Sequence, residues 1–99
     1  MIAGMILYIL KYYTTTLIIM TATWYSIAFD YEGIHYDGRL TPETKADHKN
    51  PSSWHIVLNE VFFGYLHKDS GHWHVSEQRP SGLVQEVGKL IELTGYQFN

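Results

Sequence analysis

Residues 54–75 read WHIVLNEVFFGYLHKDSGHWHV, and the rest of the chain has to be arranged around whatever this stretch becomes. It is dense in β-branched and aromatic side chains. Turn-forming residues interrupt it at Asn59-Glu60 and again at Lys68-Asp69-Ser70-Gly71, which predicts three short strands joined by tight turns. A two-residue bend at Asn59-Glu60 sets Leu58 beside Val61, Ile56 beside Phe63 and Trp54 beside Tyr65 on one face. Val57 with Phe62 and His55 with Gly64 then share the other. Large apolar groups on both faces predict a sheet covered on both sides. The second turn reads as a loop of three or four residues with Gly71 in the left-handed position, leading into a strand over His72 to Ser76. Its register stays open, because a slip of one residue turns every side chain over.

Upstream, Trp24 to Arg39 alternates with period two. Tyr25, Ile27, Phe29 and Tyr31 fall on one face of a half-buried strand. Glu32-Gly33 supplies a two-residue turn, so that Tyr31 meets Ile34 and Phe29 meets Tyr36 in a hairpin. Leu40 to Ser53, LTPETKADHKNPSS, has little to bury and reads as a long surface connection. His48 lies in it, a solvated loop histidine on this reading. Downstream, Ser81 is the expected N-cap of a helix running to about Thr94. Leu83, Val84, Val87, Leu90, Ile91 and Thr94 form its apolar stripe, Gln85, Glu86, Lys89 and Glu92 face outward, and Gly95 ends it. Gly88 inside the helix costs about 1 kcal/mol relative to alanine, which points to close approach to the sheet or to weak demand on helix strength.

The fold class is therefore α+β: an antiparallel β-meander of about five strands with one C-terminal amphipathic helix packed on the sheet. Residues 23–99 form its single domain, and 99 residues leave no room for a second. Residues 1–22, MIAGMILYILKYYTTTLIIMTA, stand apart as an apolar extension. Three readings of it are open: an ancillary stretch with Met20 as the start, an anchor or export segment, or a helix packed on the domain. Lys11 near its middle is expensive in a membrane, and a basic leader and an A-x-A-like cleavage site are both lacking.

Composition narrows the partners. A formal charge of −3 gives no whole-chain footprint for phosphate backbones, so nucleic acid is not an expected partner. A membrane enters only through residues 1–22. The chain has no cysteine, which removes thiolate ligands, disulfides and a cysteine nucleophile and fits a reducing, cytoplasmic setting. Trp24, Trp54, Tyr65 and Trp73 lack the interleaved basic residues of a base-stacking platform, and core packing or a protein interface suits them better.

The one candidate site is His67, His72 and His74. His72 and His74 project to the same side of a strand, and a four-residue turn would set His67 across from His72, bringing together three imidazoles able to hold Zn²⁺. A three-residue turn would set His67 against Trp73 and lose the cluster. The bland alternative is a solvent-facing hairpin with polar side chains. Asp69, Ser70 and His72 do not make a catalytic triad, since a triad needs the histidine between nucleophile and carboxylate; Asp69-Ser70-Gly71 is turn chemistry. No glycine-rich nucleotide motif accompanies it, so no cofactor beyond zinc is indicated.

The segments WHIVLNEVFFGYL, GHWHVSEQRP and LVQEVGKLIELTG together resemble small uncharacterised bacterial proteins of the Bacteroidetes kind. Those pair a strand-turn-strand W-x-V-x-L-N-x-V-x-F-G with a later tryptophan strand and a final helix. The resemblance covers about Trp24 to Thr94 and implies a meander plus helix, with no catalytic residue to transfer. The functional expectation is a noncatalytic binding or assembly module that self-associates or takes a protein partner. The alternatives are a histidine-based metal-binding protein or hydrolase, and a membrane-tethered small domain.

Overall fold

A computed structural model describes residues 16–20, 24–43 and 53–95. The apolar stretch 1–15, the connection 44–52 with His48, and residues 21–23 and 96–99 lie outside the described residues. Six strands follow one another in space in chain order: β1 (Leu17–Met20), β2 (Tyr25–Tyr31), β3 (Ile34–Glu43), β4 (Ser53–Leu58), β5 (Val61–Asp69) and β6 (His72–Val75). Every neighbouring pair is antiparallel, and one helix, α1 (Ser81–Leu93), completes the described chain. This is the meander-plus-helix of the α+β class, with one strand more than the sequence pattern suggests.

The added strand is β1. Leu17 to Met20 pairs with β2, and Ile18 is wholly buried opposite Ile27. Because every residue from Leu17 to Met20 is apolar, the segment lacks the alternation that flags a half-buried strand, and it merges by eye with the apolar residues before it. The β2–β3 hairpin has the expected register, with Tyr31 opposite Ile34, Phe29 opposite Tyr36, and Glu32-Gly33 at positive φ in the turn. Strand β3 runs further than its charged, proline-containing end suggests. Leu40, Thr41, Pro42 and Glu43 pair with β4 instead of opening the connection, and Ser53 already belongs to β4. Pro42 is compatible with this end of the strand because, among the described residues, the β2 ladder ends at Leu40 and β3 pairs there with β4 alone.

Asn59 ties these hairpins together. Its backbone N–H donates to Asp37 O at 2.6 Å, its Nδ2 donates to His35 O at 3.2 Å, and its Oδ1 accepts from Asp37 N at 2.9 Å. Strand β4 has ended by then, so the asparagine continues its ladder along β3. Asn59 and Glu60 both have positive φ, and asparagine is the non-glycine residue that takes this conformation most readily.

One face of the sheet holds the core: Ile18, Tyr25, Ile27, Phe29, Leu40, Trp54, Ile56, Leu58, Phe63, Leu66 and Trp73. From α1, the predicted stripe of Leu83, Val84, Val87, Leu90, Ile91 and Thr94 is buried throughout. The helix begins one residue differently from expectation. Pro80 is the N-cap and Ser81 the first helical residue, with no side-chain cap; Val84 N–H already donates to Pro80 O. At the other end Thr94 Oγ1 donates to Ile91 O, and Gly95 takes a positive φ.

Trp73 is where helix and sheet lock. Gly88 lies against its indole so closely that a Cβ there would overlap the ring. Gln85 is half-buried instead of facing outward, and Glu92, exposed as the stripe implies, joins it in flanking Gly88 and bonding the same tryptophan. Gln85 Nε2 donates to Trp73 O at 2.8 Å, Trp73 N–H donates to Gln85 Oε1 at 3.3 Å, and Trp73 Nε1 donates to Glu92 Oε2 at 2.9 Å. Lys68 Nζ reaches the same carboxylate oxygen at 2.7 Å and lies over the indole. The Lys68 hydrogen bond holds the Glu92 carboxyl below its ordinary value against the opposing effect of burial, and the indole N–H adds to it. This contribution to stability is present above the ordinary carboxylate range and lost as pH falls through the lowered pKa.

Two substitutions test this packing. Gly88→Ala in a free helix gains about 1 kcal/mol. Here it should destabilise, by about 1–3 kcal/mol as the methyl group displaces the indole; denaturant unfolding giving a gain would remove the close contact. Ile18→Ala should cost about 2–5 kcal/mol, and a loss below about 0.5 kcal/mol, the range of ordinary surface changes, would show that β1 adds nothing to the core.

Candidate functional site

Strand β5 carries one residue more than β4 needs. Leu58 pairs with Val61 and Val57 with Phe62, but Ile56 then pairs with Gly64, His55 with Tyr65 and Trp54 with Leu66, the register shifting between Ile56 and Val57. The uninterrupted register expected from the sequence, with Ile56 beside Phe63 and Trp54 beside Tyr65, therefore holds only next to the turn. Phe63 is the extra residue of a β-bulge. Gly64 has a φ of +145°, and a Cβ there would overlap the Val75 side chain, so the position is closed to other residues on both counts. Past the end of β6, residues 76–79 finish the edge of β5. Ser76 exchanges bonds with both backbone groups of Tyr65, and Arg79 donates from Nε to Phe63 O at 2.9 Å and from Nη2 to Phe62 O at 3.1 Å, with its guanidinium over the Phe63 ring.

The bulge determines what the face opposite α1 displays. It turns Phe63 and Leu66 inward, where both are buried, and places Phe62 and Tyr65 together on the outer face beside His55. Their rings form a closed group: His55 to Phe62 5.2 Å, His55 to Tyr65 5.3 Å, Phe62 to Tyr65 5.5 Å between centroids. Phe62 and Tyr65 are each 39% exposed. Helix α1 lies on the other face, so the described elements do not cover both sides as the apolar pattern suggests. Trp54 and Trp73 are core residues, which leaves Tyr65 as the accessible ring among the four large aromatics singled out above, apart from the half-buried Trp24.

The histidines continue this face. Ser70-Gly71 is a two-residue turn with both φ values positive, shorter than either loop length read from the sequence, because Ser70 accepts a left-handed conformation that its identity does not advertise. Asp69 consequently pairs with His72, Lys68 with Trp73 and His67 with His74. The structure thus brings His67 to His74, their rings stacked at 5.4 Å, and sets His72 beside Asp69 at the end of the hairpin. Among the described residues no group of three or more His, Cys, Asp or Glu is placed to hold a metal ion. Ser70 Oγ lies 3.4 Å from Asp69 Oδ1, a contact within the turn.

A second polar feature of the outer face escaped the pattern because its parts come from both strands of the first hairpin. His35 Nδ1 is 2.7 Å from Asp30 Oδ1 and His35 Nε2 is 3.2 Å from Asp37 Oδ1. Two ring nitrogens facing two carboxylates describe an imidazolium donating on both sides. The bond to Asp30, then that to Asp37, raises the His35 pKa above its ordinary 6.5. All three groups are well exposed, so the arrangement is an electrostatic latch on the surface.

A groove of about 250 Å³ runs between β6 and the start of α1, lined in part by Trp73, Val75, Arg79, Val84 and Gln85. Of its polar lining, which also includes His74 and Ser81, Arg79 and Gln85 are spent on the backbone of Phe62, Phe63 and Trp73. Among the described residues no helix is long and apolar enough to cross a membrane. Comparison of the chain with protein-family models, with curated proteins and with solved structures finds no match.

The histidine latch gives a signed prediction. A raised native pKa means that stabilisation by His35 is complete below its unfolded-state value and disappears as pH rises through the native one. By NMR, His35 should titrate above its ordinary 6.5, and Asp30→Asn should lower its midpoint. A His35 midpoint at or under 6.5 in the unaltered protein would contradict the latch.

Proposed function

We propose that the chain is a noncatalytic interaction domain that self-associates through the outer face of its sheet. The observation that carries this is the exposed ring group of Phe62, Tyr65 and His55 on the face that α1 does not cover. Aromatic side chains supply much of the energy at protein interfaces because they bury large area at small entropic cost. Two copies related by a twofold axis can bury the same patch against each other. Beside the rings on this face Thr41 pairs with His55 and Arg39 with Val57, the Arg39 guanidinium lying over Trp24. A bacterial, Bacteroidetes-type origin and a cytoplasmic setting belong to the same proposal, the first supported by the motif resemblance and the second by the lack of cysteine.

Sedimentation velocity across a concentration series, in buffer containing EDTA, tests this. The unaltered chain should show a reversible monomer–dimer equilibrium, and Phe62→Ser should weaken it by about tenfold or more, the loss of one interface anchor. Circular dichroism of the variant controls for folding. A strict monomer at the highest soluble concentration, or association that Phe62→Ser and Tyr65→Ser leave unchanged, would refute the proposal.

A further inference from the structure

The ring group does not end at Tyr65. His67 follows it two residues along the same face of β5, and His74 lies directly across on β6, so the patch has an imidazole pair at its rim. Both imidazoles are exposed. Unlike His35, neither is held between two carboxylates among the described residues, and their rings stack on each other. Two imidazoles fixed on neighbouring strands lose little freedom on converging, since the backbone has already placed them, and neutral imidazole nitrogen is a preferred donor for borderline divalent ions. One pair supplies two donors, half of a tetrahedral set. A twofold dimer through the outer face would supply the other half from the same residues of the second copy.

We propose that His67 and His74 hold one divalent transition-metal ion of the zinc class at the rim of the outer face, its remaining positions being filled by His67 and His74 of a second copy. The ion would then strengthen the self-association proposed above, on which this inference rests. His72, set beside Asp69 at the tip of the hairpin, is not a ligand in this assignment. Among the described residues no third ligand joins the pair, so in this assignment the second copy completes the coordination.

The test adds ZnCl₂ to the full-length chain, using calorimetry for stoichiometry and sedimentation velocity for association. The expected result is one zinc ion per two chains and association tightened by about tenfold or more, reversed by EDTA. His74→Ala should abolish both effects of zinc, each judged against that variant's own association in EDTA, and His72→Ala should behave as the unaltered chain. No heat at micromolar protein, one ion per chain with unchanged association, or loss of binding in His72→Ala as complete as in His74→Ala would each overturn the assignment. Because the face-to-face proposal is tested in EDTA, its failure is read separately from failure of the metal site.

Discussion

The molecule turns on a single inserted residue. Phe63 adds one position to β5 that β4 does not match, and from that point the alternation of side chains along β5 is reversed. Without it, Leu66 would point away from the core and Tyr65 into it, and His67 would follow the wrong face. Bulges cost ladder bonds, and this one is kept because the released carbonyls of Phe62 and Phe63 are taken by Arg79 and because Gly64 permits the required backbone. The core and the outer aromatic group are two results of the same local rearrangement.

A second constraint joins the layers. Trp73 sits on the last and shortest kind of strand, with four residues and one strand neighbour, yet it is 6% exposed. What shields it is helix α1, approaching over Gly88 and gripping the indole and its backbone through Gln85 and Glu92, residues at positions i, i+3 and i+7 of one helical face. Helix propensity argues against glycine at that point, and the tryptophan explains it. The polar flank of the helix and its apolar stripe serve the same contact, one by hydrogen bonds and the other by burial.

Most of the architecture was legible because two periods are written plainly. Alternation in Tyr25–Tyr31 defined the first hairpin with its register, and the spacing from Leu83 to Thr94 defined the buried side chains of the helix, Gly88 being the one buried position outside the stripe. What escaped was information not carried by local pattern. The bulge depends on Arg79, sixteen residues from Phe63, and nothing near Phe63 announces it except Gly64. The strand β1 is hidden because uniform apolarity looks alike in strand and helix, and the extension of β3 through Pro42 depends on where β2 ends. The candidate histidines lie along one hairpin, and which of them meet was decided by Ser70 taking a left-handed backbone. His35 with Asp30 and Asp37 could have been found from the hairpin register alone, since Asp30 stands across from His35.

The bond pair between Gln85 and Trp73 has a consequence for how the sheet may grow. An outermost strand normally offers its outward N–H and C=O groups to any extended chain nearby, the usual route to fibrils and swapped assemblies. At Trp73 both groups are already saturated by a carboxamide from the helix, which imitates one residue of a further strand. Lateral propagation of the ribbon past this border is thereby blocked at its centre.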